Sequence, residues 1–137
     1  MSNSTETDLD DRCQQAMALR QEGQYDEARR LLESVLRDDP SHLQARLELG
    51  LVLLFTGEFE AGTAAIEQVV REQPGWYEAR VHLAKSYAML GRGEDACREF
   101  LQVVRDAPAD STPHLESKKQ LTYFPADQIS AARARLS

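Results

Sequence analysis

Cysteine is scarce: Cys13 and Cys97 stand far apart in the chain, with no partner at metal-ligand or redox spacing. This usage suits a reducing compartment, and both thiols are expected to fill helix faces as small apolar residues. No run of 18 apolar residues occurs, so no membrane-spanning helix is expected. The polar, acidic opening Met-Ser-Asn-Ser-Thr-Glu-Thr-Asp does not resemble a signal peptide, which makes the cytoplasm the expected location. The seven glycines are dispersed and form no phosphate-binding loop. Positive charge is in deficit, with 16 Lys+Arg against 23 Asp+Glu, a formal net charge of -7 and a pI near 5.0. That balance disfavours nucleic acid or an anionic membrane as the main partner. His42, His82 and His114 are not spaced with a cysteine or carboxylate in a ligand pattern, so neither a metal nor another cofactor is expected.

Against these absences stands a period of about 34 residues, a length typical of stacked helical hairpins. Gly23, Gly57 and Gly91 recur at this one interval, as do Pro40, Pro74 and Pro108, and the small residues Ala28, Gly62 and Ala96. Apolar Leu32, Ile66 and Phe100, then Val35, Val69 and Val103, follow the small residue by four and seven, the spacing of one helix face. The second half of each unit is therefore a helix. It starts after Gly23-Gln24-Tyr25 and Gly57-Glu58-Phe59, where Asp26, Glu27 and Glu60 complement the helix dipole, and it stops before the proline. The first helix is clearest from Leu43 to Phe55, with Leu49, Gly50 and Leu53 at helical spacing; Gln15, Ala16, Leu19 and Leu83, Ala84, Tyr87 are the equivalents. Ala16, Gly50 and Ala84 are expected to meet Ala28, Gly62 and Ala96, a small-on-small contact within each hairpin. Three units, 9–42, 43–76 and 77–110, follow without insertion.

Over residues 9–110 these landmarks resemble the tetratricopeptide repeat. The resemblance implies an all-α chain: a right-handed superhelical α-solenoid of three helix-turn-helix hairpins plus a C-terminal capping helix or helices. There are two departures. The tryptophan usual early in the first helix is replaced by Arg12, Arg46 and Arg80, and Gly93 stands where an aromatic is expected. Both are expected to loosen packing locally, and the arginines to pair internally with neighbours such as Glu48, Glu78 and the acidic turns.

At the ends, residues 1–8 are expected to be a disordered acidic segment, with Asp8 or Asp10 capping the first helix. Thr112-Pro113 and His114 to Thr122 read as an N-cap, a first-turn proline and a helix; Asp127 to Leu136 reads as another. Residues 111–137 are expected to cap the open end of the array, with Leu115 and Leu121 facing the third hairpin. The alternative sends Tyr123, Phe124 and Ile129 into the concave groove.

The resemblance also assigns side chains to that groove: Cys13, Gln14, Met17 and Arg20 from the first unit; Leu47, Glu48, Leu51, Leu54 and Phe55 from the second; Val81, His82, Lys85, Ala88 and Met89 from the third. Asp10, Gln21, Gln44 and Glu78 accompany them. Leu47, Leu51, Leu54 and Phe55 make an apolar stripe opposite Leu49 and Leu53, and a helix apolar nearly all round implies burial on both faces. Such a groove suits an amphipathic helix or short apolar peptide of a partner protein, as in a scaffold or adaptor. Alternatives are a homo-oligomerising assembly factor using the same groove, or a secretion-type chaperone for apolar segments. Glu48 and Glu78 would repel a terminal carboxylate, which argues against a carboxylate clamp. Catalysis is not expected: Cys13 and His82 come from nonadjacent units and no oxyanion donor is evident.

Overall fold

A computed structural model of the protein describes residues 5–136. Among the described residues all regular structure is helical. The order is α1 (Glu6–Gln21), α2 (Tyr25–Asp38), α3 (Leu43–Phe55), α4 (Phe59–Glu72), α5 (Tyr77–Met89), α6 (Gly93–Asp106), α7 (Thr112–Leu121) and α8 (Ala126–Ala134). The chain divides after Val69 into two compact units.

The repeating glycines close the hairpins in the same way each time. Gly23, Gly57 and Gly91 take φ of +81°, +88° and +75°, a left-handed conformation that a Cβ would strain. At the first turn the Gln24 N–H donates to the Leu19 carbonyl at 2.8 Å and the Gly23 N–H to that of Arg20 at 2.9 Å. Glu58 and Gly57 repeat this on Leu53 and Leu54, and Arg92 and Gly91 on Tyr87 and Ala88. The last carbonyls of each first helix are thus satisfied locally. At the other end, Asp39 and Ala107 are extended, as a residue before proline must be, and α2 and α6 stop there.

In the first unit Leu9, Cys13, Ala16, Ala28, Leu32, Val35, Ala45 and Val52 form one buried cluster. Ala16 and Ala28 are fully buried, as expected of the small-on-small contact. Gly50 and Gly62 approach closer still: a Cβ on Gly62 would lie 2.7 Å from the Gly50 carbonyl oxygen and 3.0 Å from Leu54 Cδ2. Leu54 therefore packs inside the α3–α4 hairpin.

The arginines at the tryptophan position hold structure rather than loosen it. Arg46 Nε donates to the Pro40 carbonyl at 2.9 Å, and Arg80 Nε to the Pro74 carbonyl at 2.7 Å. Arg12 donates to Asp38 at 2.7 Å and to Ser34 at 2.9 Å, while Arg80 also pairs with Glu99 at 2.9 Å. The acids engaged include Asp38 and Glu99 on the second helices and, for Arg12, Asp8 one turn back on α1 at 3.1 Å.

In the second unit α7 and α8 both pack on α6. Cys97, Leu101 and Ala132 are buried together, with Leu121, Phe124, Ile129 and Leu136 packed against them. The rings of Phe124 and Phe100 lie 6.1 Å apart. Phe124 and Ile129 thus cover α6, while Tyr123 stays 68% exposed. Gly93 makes room for this docking, since a Cβ there would sit 2.6 Å from the Gln128 side chain of α8. Arg135 adds ion pairs to Glu94 and Asp95.

Four expectations at the ends are corrected. The first helix begins at Glu6, because the Thr5 hydroxyl accepts from the Asp8 N–H at 3.1 Å; Asp8 lies inside the first turn and Asp10 further along α1. The expected disordered segment 1–8 accordingly fails at residues 6–8, and residues 1–4 lie outside the described residues. The α7 cap is Ser111, not Thr112, its hydroxyl accepting from the His114 N–H at 3.4 Å. Leu115 is 56% exposed, because Pro113 and Ser117, with Leu121 one turn on, form the inward stripe of α7.

Candidate peptide-binding surfaces

On α5, Glu78, Val81, His82 and Lys85 follow the i, i+3, i+4, i+7 spacing of one helix face. Across from them the N-terminal half of α7 presents Thr112, Pro113 and Glu116, and the two sets enclose a pocket of about 200 Å³. Lys85 Nζ meets Glu116 Oε1 at 2.8 Å, tying the two helices together. The Lys85 hydrogen bond, aided by one from Gln120, holds the Glu116 carboxyl below the usual carboxylate range. Val81, His82 and Lys85 from the expected groove are thus brought into one pocket. Thr112, Pro113 and Glu116 were not anticipated, although Glu116 follows His82 by one full repeat length and so continues the period. Ala88 and Met89 remain exposed further along α5.

In the first unit the expected groove residues separate into surface and interior. Gln14 is exposed, and Met17 is partly buried beside the Gln44 amide, 4.0 Å from its sulfur. Arg20 Nε pairs with Glu48 Oε2 at 2.9 Å, and Gln44 donates to the same carboxylate at 3.4 Å. Glu48 is only 3% exposed, so its charge is spent internally and is not offered to a ligand. The Arg20 guanidinium stands 6.0 Å from the Phe55 ring centre, and Phe55 stacks on Tyr25 at 5.7 Å with the planes 4° apart. Phe55 is 53% exposed. Leu47, Leu51 and Leu54 are buried, with exposures of 3%, 4% and 5%. They serve as packing beneath the surface, the outcome to be expected of a helix apolar on every side.

Cys13 proves to have a histidine beside it, though not His82. Its sulfur lies 3.8 Å from His42 Nδ1, and His42 Nε2 lies 3.1 Å from Asp10 Oδ1. The order Cys-His-Asp suggests a nucleophile with its base, but the details assign another role. His42 Nδ1 accepts from the Ala45 N–H at 3.2 Å, which makes the imidazole the N-cap of α3 and places its proton on Nε2, toward Asp10. Burial, reinforced by the charges of Asp10 and Glu48, pushes the Cys13 thiol up to about 11. A thiol so held is protonated at neutral pH and is a poor nucleophile. Among the described residues no group of three or more His, Cys, Asp or Glu is placed to hold a metal ion, and no helix is long and apolar enough to cross a membrane.

Helical hairpins closed by a left-handed glycine once in every repeat, with small residues at each crossing, define a tetratricopeptide array. Two models of the tetratricopeptide repeat match, over residues 19–76 and 48–111, and the chain belongs to that family. Among solved structures, the type III secretion translocator chaperone SycD of Yersinia enterocolitica superposes with a TM-score of 0.77 at 14% identity, over 88% of this chain and 92% of that one. PcrH of Pseudomonas aeruginosa, in complex with the chaperone binding region of PopB, gives 0.74 at 16% identity, over 87% and 98%. TTC0263, a thermophilic tetratricopeptide protein of Thermus thermophilus, gives 0.65 at 25% identity, over 75% and 53%. The likeness to SycD and PcrH establishes the fold. No curated protein matches the chain.

Proposed function

We propose that this protein is an interaction module that holds an apolar or amphipathic helical segment of a partner protein, in the manner of an adaptor or chaperone. The observation that carries the reading is the α5–α7 pocket, where Val81, His82 and Lys85 line a concavity with an apolar floor and a polar rim. Support comes from PcrH, whose fold is similar and which is bound in its crystal to a chaperone binding region of PopB. The protonated state of Cys13 favours binding over catalysis, and a cytoplasmic setting suits such a module.

In the first unit the contact surface consists of Gln14, Met17, Arg20 and Phe55, with Leu47, Leu51 and Leu54 supporting it from below. A panel of synthetic amphipathic helical peptides, screened by fluorescence anisotropy, tests the reading. Val81→Ala combined with His82→Ala, both in the lining of the pocket, is expected to weaken the best binder at least tenfold with helical circular dichroism unchanged. Undiminished binding by that variant, or no binding by any peptide, refutes the proposal. The homo-oligomeric alternative predicts a dimer in light scattering that the same variant dissociates.

A further inference from the structure

The pocket between α5 and α7 carries one uncompensated charge. Lys85 is matched by Glu116 at 2.8 Å. Glu78 is exposed in the first turn of α5, lines the same pocket, and has no ion-pair partner among the described residues. The floor between them is apolar, built from Val81 at 6% exposure and buried Pro113. An apolar floor beside one unpaired carboxylate complements an aliphatic side chain that has a cation next to it. An anion in the same place meets Glu78 while the ammonium of Lys85 is already engaged, so the site also rejects the opposite sign. The formal charge of -7 on the whole chain steers basic segments in the same sense.

We infer that this pocket anchors a branched aliphatic side chain of the partner segment whose neighbouring lysine or arginine pairs with Glu78. The inference rests on the peptide-binding reading above and adds to it a sign: the bound segment is basic at this anchor. The ion pair of Lys85 and Glu116 remains in place when the ligand binds. Its two side chains are 37% and 33% exposed, and it forms one wall of the pocket.

The test uses the full chain, labelled with 15N, and two small probes of similar shape and opposite charge, isopentylamine and isovalerate. The ammonium probe is expected to shift the amides of Val81, His82 and Glu116 and to bind at least fivefold tighter than the carboxylate. Glu78→Gln removes that preference, Lys85→Met raises it by releasing Glu116, and Glu60→Gln, at an exposed acid of α4, leaves it unchanged. Equal binding of the two probes, a preference for isovalerate, or shifts confined to residues outside the pocket overturn the inference. Peptide capture without any charge preference at Glu78 refutes this inference alone. A pocket that prefers the ammonium in a protein that captures no peptide refutes the peptide-binding reading alone.

Discussion

Glycine-to-alanine substitution at two helical positions should move stability in opposite directions. Within a helix the exchange by itself gains up to about 1 kcal/mol, because alanine restricts the unfolded chain and suits the helix. At Gly62 the added Cβ falls 2.7 Å from the Gly50 carbonyl oxygen, a backbone atom held in α3, and 3.0 Å from Leu54. Relief requires α3 and α4 to separate by several tenths of an ångström, and overpacking of this kind costs about 1–3 kcal/mol. The net expectation for Gly62→Ala is a loss of about 1 kcal/mol, or roughly 2–8 °C in Tm for domains near this size. At Gly93 the new Cβ meets only the amide end of Gln128, 2.6–2.9 Å away, and a side chain that ends in a free amide can rotate aside. Gly93→Ala is therefore expected to be neutral or slightly stabilising. Urea melts of the two variants decide the matter. A stabilised Gly62→Ala, or equal losses in both, would falsify the argument that an immovable backbone contact sets the sign.

Three further expectations concern buried or capping groups. His42→Ala removes the acceptor for the Ala45 N–H and should cost about 0.5–2 kcal/mol, whereas His42→Asn recovers most of it; equal losses on urea denaturation would rule out the cap. Cys13, its thiol pushed up to about 11, should resist iodoacetamide at pH 8 in the folded protein, and rapid alkylation tracked by mass spectrometry would reinstate the nucleophile reading. Burial raises the Glu99 carboxyl even though Arg80 opposes the shift, so the folded state binds its proton more tightly than the unfolded state does. Its stabilising contribution is complete below the unfolded value and is lost as pH rises through the higher folded one. Glu99→Gln should flatten that fall, and an unchanged pH profile of unfolding free energy would contradict it.

The parts of this fold that were legible in sequence are those set by local backbone chemistry. The bounds expected for α3, Leu43 to Phe55, around the helical spacing of Leu49, Gly50 and Leu53, coincide with the observed helix at both ends. The left-handed glycines and the proline exits are equally local. Which side of α3 faces solvent was not legible, because leucine or valine is spread around the helix between Leu43 and Leu54 and periodicity then carries no phase. Pairings across helices were hidden for a different reason. Arg20 with Glu48 and Lys85 with Glu116 join different helices, and Cys13 with His42 joins a helix to the cap of another, so no spacing within one helix announces them. The α7 cap was misplaced by one residue because Ser111 and Thr112 are both competent caps and only the geometry of the His114 N–H chooses between them.

The three arginines at the tryptophan position have a calorimetric consequence. Burying an indole removes about 150–250 Å² of surface from water, mostly apolar, and each Å² of apolar surface exposed on unfolding adds about 0.45 cal/mol/K to the heat capacity. Arg12, Arg46 and Arg80 hold their positions by hydrogen bonds and ion pairs instead. Relative to the same hairpins with an indole at each position, the heat capacity of unfolding falls by roughly 0.2–0.3 kcal/mol/K in all, against a total of about 1.6–2.1 for a chain of this length. The stability curve flattens accordingly, so the unfolding free energy changes less between cold and warm conditions.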